Sequence, residues 1–239
     1  MNNQVFSRVW HIVRIPLVVI LVLYVGLVIY RIPAAQERLK TQEVVKKIQA
    51  QKLTLADVMG QNLPPEPNPA LKDASVEGID ANGNGIRDDV ELAIFKLYPD
   101  SVPPERSGSS TRIRAAELQY AMALQNELEN VFNSEIYILV LKEENRGWSC
   151  INDTIPSIIP KFNDFGELAD WLKVPTNADF FNQENRSNSV IQDKRTKEVE
   201  ELMFNNDARK QKRDDNFKSY MTSYSLPNNQ FCDIDITTL

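Results

Sequence analysis

Histidine is almost missing from this chain of 239 residues. The one copy, His11, lies in the first apolar stretch. The water-facing remainder has none, which excludes His-based nucleophile triads, HExxH zinc sites and most general-base chemistry. A basic surplus is missing too. Residues 1–31 hold Arg8, Arg14 and Arg31 and no acids, so the rest carries 24 basic and 33 acidic side chains, a balance of −9. An acidic domain repels phosphate, which argues against nucleic acid and against anionic lipid surfaces as partners. There is no internal repeat, no low-complexity tract and no catalytic constellation.

What is present begins with one long apolar run. Ile15 to Tyr30 contains no charge. As a helix it spans about 24 Å, short of a hydrocarbon core of roughly 30 Å. Extension back to Val9 reaches full length, with Arg14 snorkelling to the interface and Trp10 and Tyr30 at interfacial positions. The reading is a single-pass transmembrane anchor over 9–31, preceded by a short tail, 1–8. The alternative is a signal peptide cut near Ala34 or Ala35. Flanking positive charges favour a cytoplasmic domain, but long domains translocate largely regardless of that bias. The expected location is the inner membrane, single-pass, with the C-terminal domain in the periplasm.

Residues 32–70 read as a stalk helix and linker. Leu39, Val44, Val45, Ile48, Leu53 and Leu55 fall roughly on one helical stripe, and Pro64, Pro65, Pro67 and Pro69 enforce an extended connection. The remainder, 71–239, reads as a mostly α domain. Helices are expected over Asp88–Tyr98, ended by Pro99, and over Thr111–Phe132. Ile136–Leu141 fits a buried helix or a buried strand, and with no partner strand in view helix is preferred. Asp164–Lys173 is a short helix. A long polar helix is expected from Thr176, as its cap, to about Ser223, with a possible break after Asn205. Gly147–Lys161 is expected to be broken and the tail from Leu226 irregular, as is the loop from Ser101 to Ser110.

One segment names a ligand. Asp80-Ala-Asn82-Gly83-Asn84-Gly85-Ile86-Arg87-Asp88-Asp89-Val90-Glu91 has oxygen side chains at positions one, three, five, nine and twelve, and glycine at position six. That is the ligand order of an EF-hand loop for Ca2+. Asp80, Asn82 and Asn84 would give side-chain oxygens, Ile86 its carbonyl, Asp88 a direct or water-mediated ligand, and Glu91 a bidentate carboxylate. Arg87 replaces the usual aliphatic residue at position eight, and the proline-rich approach denies the loop an entering helix. With three carboxylates, affinity belongs in the weak class, about 10⁻⁴ to 10⁻³ M, suited to a structural staple. The alternative is a Gly/Asn turn capping the helix at Asp88 or Asp89.

Cys150 and Cys232 are the only cysteines. In an exported domain two imply one disulfide; in a reducing compartment, two buried thiols. Asn152-Asp-Thr154 and Asn185-Arg-Ser187 fit a glycosylation pattern of little weight by itself.

Gly78 through Glu91 resembles a loop common in exported bacterial proteins. Gln119-Tyr120-Ala121-Met122-Ala123-Leu124-Gln125 is similar to the helix that trails it in an uncharacterised bacterial periplasmic family. Cys150 and Leu226-Pro227…Cys232 look like that family's paired cysteines. The resemblance implies an exported location, a solitary calcium loop and a disulfide, and no reaction. The function expected is a non-enzymatic protein-binding or envelope-assembly module with a protein partner. Alternatives are an accessory subunit of a membrane complex, or a carboxylate- or metal-assisted hydrolase using Asp153, Asp164, Glu167 and Asp170 near Trp148 and Trp171.

Overall fold

The computed structural model describes residues 3–99, 110–157, 159–160, 164–222 and 232–239. The 101–109 loop, the side chain of Trp10 and the tail from 226 to 231 lie outside the described residues. The chain forms two compact units, Met1–Lys46 and Lys47–Leu239.

The first unit is helical throughout its described residues. It belongs to α1, Asn3–Ala50, whose apolar stretch is long and apolar enough to cross a membrane. Leu17, Leu21, Leu23 and Ile29 are all more than half exposed. Side chains this apolar, with no protein against them, suit a hydrocarbon solvent.

The second unit starts earlier than the proline run implied, because Leu53 and Val58 are core residues. α1 stops at Ala50, before the last two residues of the expected stripe, Leu53 and Leu55. Thr54 then opens α2, Leu55–Val58, with a capping box in which Thr54 and Asp57 satisfy each other's end groups. α3 covers Asp88–Leu97, α4 Ser110–Asn130, α5 Ser134–Asp153, α6 Phe165–Leu172, α7 Pro175–Met203 and α8 Asp207–Tyr220. A short 3-10 turn, Ile236–Thr238, ends the chain, and there is no strand among the described residues.

α4 is the axis of this unit. It packs on α2, α3, α5, α7 and α8. Sequence periodicity predicted one apolar face, but the helix is buried nearly all round. Ala115, Ala116, Ala121 and Ala123 let neighbours approach closely. Leu118, Leu124 and Leu128 are fully buried, each worth about 1.5–3 kcal/mol relative to exposure. The polar residues of α4 are tied off individually. Gln125 donates to the Glu77 carbonyl at 2.7 Å, and Gln119 accepts from the Asp233 amide at 2.7 Å.

Ile136–Leu141 lies within α5, as preferred. That helix runs on through Gly147 to Asp153, into the 147–161 segment expected to be broken, and stops short of Pro156. Gly147 is the reason: a Cβ there would lie 2.7 Å from the Tyr120 Cα, so glycine is what lets α5 press against α4. The cap of α7 is Val174 with Pro175 in the first turn, not Thr176, since proline's fixed φ suits that position. The helix does break, but between Met203 and Asp207, at the front of the polar 205–216 stretch, which is itself helical; Asn206 caps α8 by accepting from the Arg209 amide at 3.0 Å. Cys150 and Cys232 sit at disulfide distance, Sγ–Sγ 2.11 Å, joining α5 to the C-terminal segment.

Candidate functional site

Local chemistry folds the 80–91 loop. Asp80 Oδ1 accepts from the amides of Gly83 (2.8 Å) and Asn84 (3.2 Å), and its Oδ2 from Gly85 (2.9 Å). Three amides converging on one carboxylate coil the chain around it. Gly83 and Gly85 have φ of 72° and 85°, the left-handed region that favours glycine. Asn84 Oδ1 accepts from the Ile86 amide at 2.9 Å. The Ile86 side chain is fully buried in the core and anchors the loop.

Asp88 and Glu91, on the first turns of α3, close the loop from below. Asp88 Oδ1 accepts from the Ala81 amide at 2.9 Å. The Asn82 and Asn84 amides each donate to Glu91 Oε2 at 3.0 Å. Asp88 is 1% exposed and Glu91 0%. The second oxygen of each, Asp88 Oδ2 and Glu91 Oε1, is sealed from solvent with no hydrogen-bond partner. Burial pushes the Glu91 carboxyl up to about 7, against the pull of its two asparagine donors. Burial, with Asp80 and Asp89 nearby, also raises Asp88.

All the expected ligand residues are thus brought into one loop. Among the described residues, no three His, Cys, Asp or Glu side chains are gathered closely enough to hold a metal ion. The donor set explains part of this, because two of its members are asparagines. The test of fit is the pair of orphaned buried oxygens, since a buried carboxylate oxygen without a partner costs about 1–3 kcal/mol or more.

Arg87 resolves the oddity at position eight. Its side chain is fully buried and crosses to α7, where Nη1 donates to the Met203 carbonyl at 3.1 Å and Nη2 to the Leu202 carbonyl at 2.7 Å. Asp89 pairs with the same guanidinium at 2.5 Å. Where paired loops meet each other, this one meets a helix C-terminus, whose carbonyls need donors. Arg209 grips the approach to the loop, donating to the carbonyls of Lys72, Ser75 and Val76 and pairing with Asp73 at 2.6 Å. Gly78 has φ 74°, and a Cβ there would meet the Arg87 side chain at 2.2 Å. The odd arginine was the one sequence signal for this framework; nothing in the sequence pointed to Arg209.

A second buried acid group was not foreseen. Glu127 on α4, Glu144 on α5 and Glu200 on α7 surround Arg213 of α8. Arg213 lies 3.6 Å from Glu127 and 3.3 Å from Glu200. The Tyr120 hydroxyl donates to Glu200 at 2.8 Å. Burial pushes Glu127 up to about 7. Burial and the Glu127 charge hold Glu144 well above the carboxylate range. Elsewhere in the bundle, Glu117 pairs with Arg195 at 2.7 Å, yet burial still lifts it to about 7.

The acids suggested for a hydrolase are not assembled. Asp153, Asp164, Glu167 and Asp170 are all exposed, and Asp164 serves as the α6 cap.

Fold and site together define a helical bundle that carries an Asp/Asn/Gly loop and follows a long apolar helix. No family model, curated protein or solved structure matches the chain.

Proposed function

We propose that this chain is a membrane-anchored, exported protein whose 80–91 loop takes Ca2+ as a structural staple, and whose helical domain binds another protein without catalysis. The observation that carries the reading is the orphaned pair of buried oxygens on Asp88 and Glu91, two residues that already hold the loop coiled around Asp80 through their other oxygens. Rotating the Asn82 and Asn84 amides by half a turn would turn two donors into ligands, at the loss of the bonds their oxygens accept from the Asn84 and Ile86 amides. A divalent cation supplies the charge that two buried carboxylates lack. The long apolar helix supports the anchor, and the cysteine pair supports an oxidising compartment such as the periplasm. The resemblance to exported bacterial proteins points the same way.

The test is thermal unfolding of the full chain in detergent, in EDTA and in graded calcium. Calcium at ten times Kd is expected to add about 1.4 kcal/mol by mass action, and the gain should vanish in Asp80→Ala and Glu91→Ala. No rise in melting temperature up to 10 mM would leave the loop as a turn only.

A further inference from the structure

α8 holds to the bundle by polar contacts. None of its apolar residues belongs to the hydrophobic core, and the only side chains it buries are Arg209 and Asn216. Phe217 is 53% exposed. At the front of the helix, Arg209 is fixed to the 72–76 approach through three carbonyls and Asp73. Beyond it the grip is lighter. Lys212 donates to the Val131 carbonyl at 3.2 Å, and Asn216 to the Glu127 carbonyl at 2.9 Å. Arg213 lies over the Phe204 ring at 4.4 Å, and the Tyr220 ring meets Tyr137 at 6.4 Å. The remaining hold is the pairing of Arg213 with the buried acid group.

That group has more acid than its cation can offset. Glu127 reaches Arg213 from α4 and Glu200 from α7, and Glu144 adds a third carboxyl from α5. The Tyr120 hydroxyl of α4 donates to Glu200. Among the described residues, Arg213 is the one cation paired with these acids, since the Lys212 ammonium is spent on Val131. Lys197 and Glu201 of α7 and Lys210 and Asp214 of α8 line the outer cleft between those helices, two of each sign, and add no net charge. Glu127 is 1% exposed and Glu144 9%, and one oxygen of each is sealed without a hydrogen-bond partner. Three carboxyls facing one guanidinium in so confined a site cannot all ionise, so the docked helix requires at least one to stay protonated. Such a proton belongs to the set and not to a single residue.

We propose that residues 213–220 form a proton-controlled clasp: this half of α8 is docked while the acid group keeps its proton, and it swings off the bundle, with Arg209 as pivot, when that proton is lost to solvent. Ionisation leaves more negative charge around Arg213 than it can offset, and few apolar contacts resist the release. Burial holds the Glu127 carboxyl near 7 in the docked state, against an ordinary 4.5 that undocking restores. The docked state therefore binds more protons between these values, and docking is at its strongest below 4.5. Across that window undocking gains about ten-fold per pH unit for each proton released, and it levels off once Glu127 is ionised in both states. Glu144, held higher still, extends the release to more alkaline pH. The clasp stands apart from the 80–91 loop and needs neither calcium nor a protein partner.

The test is hydrogen–deuterium exchange of the full chain in detergent and EDTA from pH 5 to 8, with rates corrected for the intrinsic pH dependence of amide exchange. Protection of the 213–220 amides is expected to fall at least ten-fold between pH 5 and 7.5, and at pH 7.5 to stand at least ten-fold below that of α4, the mark of a local opening. In the double variant Glu127→Gln, Glu144→Gln the fall should vanish. Both changes keep the shape and remove only charge, and α4 protection in the same run checks that the variant is folded. Constant protection of 213–220 in the parent, equal protection of 213–220 and α4 throughout, or an undiminished fall in the double variant would overturn the proposal.

Discussion

The loop and the bundle both bury carboxylates, and they handle them differently. In the loop, Asp80 is satisfied by backbone amides, and Glu91 accepts from asparagine amides on Oε2 alone, its Oε1 left without a partner. Among the described residues no cation pairs with Asp80, Asp88 or Glu91; the two buried arginines nearby, Arg87 and Arg209, turn to α7 and to the 72–76 approach. In the bundle, Arg195 answers Glu117 directly, and Arg213 is shared by Glu127 and Glu200. An amide-lined carboxylate site without its own cation is the kind we propose for calcium. An arginine-paired one supplies its own counter-charge. The lesson is that burial alone does not distinguish a metal site from a structural ion pair; the counter-charge does.

Breaking each region in turn sharpens this contrast. The largest effect is expected on the bundle side. Cys150→Ser in oxidised protein releases a loop of 82-residue separation, for which the chain-entropy model gives roughly 4.5 kcal/mol as an upper figure. The denaturant midpoint should fall while the calcium-induced gain persists. Next comes Arg87→Ala on the loop side. It strips two buried carbonyls and Asp89 of their partner, for a loss of roughly 3 kcal/mol. Here calcium stabilisation should shrink as well, because the loop loses its mooring. A calcium response left intact in this variant would separate the metal loop from the α7 junction.

A smaller effect separates the two sets of acids. Glu127→Gln removes the cost of a buried charge and should leave stability at pH 7.5 equal or higher by about 1 kcal/mol, with calcium response unchanged. Glu91→Gln should do the same without calcium and abolish the calcium gain. Paired melting curves with and without EDTA check both. The smallest expected effect is a slope with pH. Glu117 and Glu127 titrate near 7 in the folded protein, against an ordinary value of 4.5. Their folded pKa lies above the unfolded one, so the native state holds more protons between about 4.5 and 7. Stability contributed by the neutral acids is full below 4.5 and lost as pH rises through 7. The melting temperature in EDTA should be higher at pH 5 than at pH 7.5. The reverse slope would mean that Arg195 and Arg213 keep these acids ionised.

Much of this was legible in order along the chain. The apolar run, the helices after residue 88, the 136–141 helix and a break near Asn205 follow from local signals: periodicity, proline and a polar gap. The loop residues were legible because their spacing is contiguous. What was hidden depends on contacts distant in sequence. The all-round burial of α4 cannot be read from its polar residues, since Gln119 and Gln125 look solvent-facing until the Asp233 amide and the Glu77 carbonyl arrive. Gly147 gave no sign in the sequence that it is a point of close approach to Tyr120. Arg87 looked like a misfit and is a fastener. The cluster of Glu127, Glu144, Glu200 and Arg213 draws one residue from each of four helices, a pattern that no window of sequence contains.

The Arg87 contact also bears on timing. The loop spans twelve residues, yet it is moored to Met203, 116 positions further on. A chain made from its N-terminus has the whole ligand set long before it has the carbonyls that hold the loop in place. Contacts of such separation form late, after slower long-range ordering. The loop is therefore expected to acquire its final shape among the last parts of the domain, when α7 has already found its place beside α4. An immature chain would carry the loop's sequence without the mooring that the proposed calcium site needs.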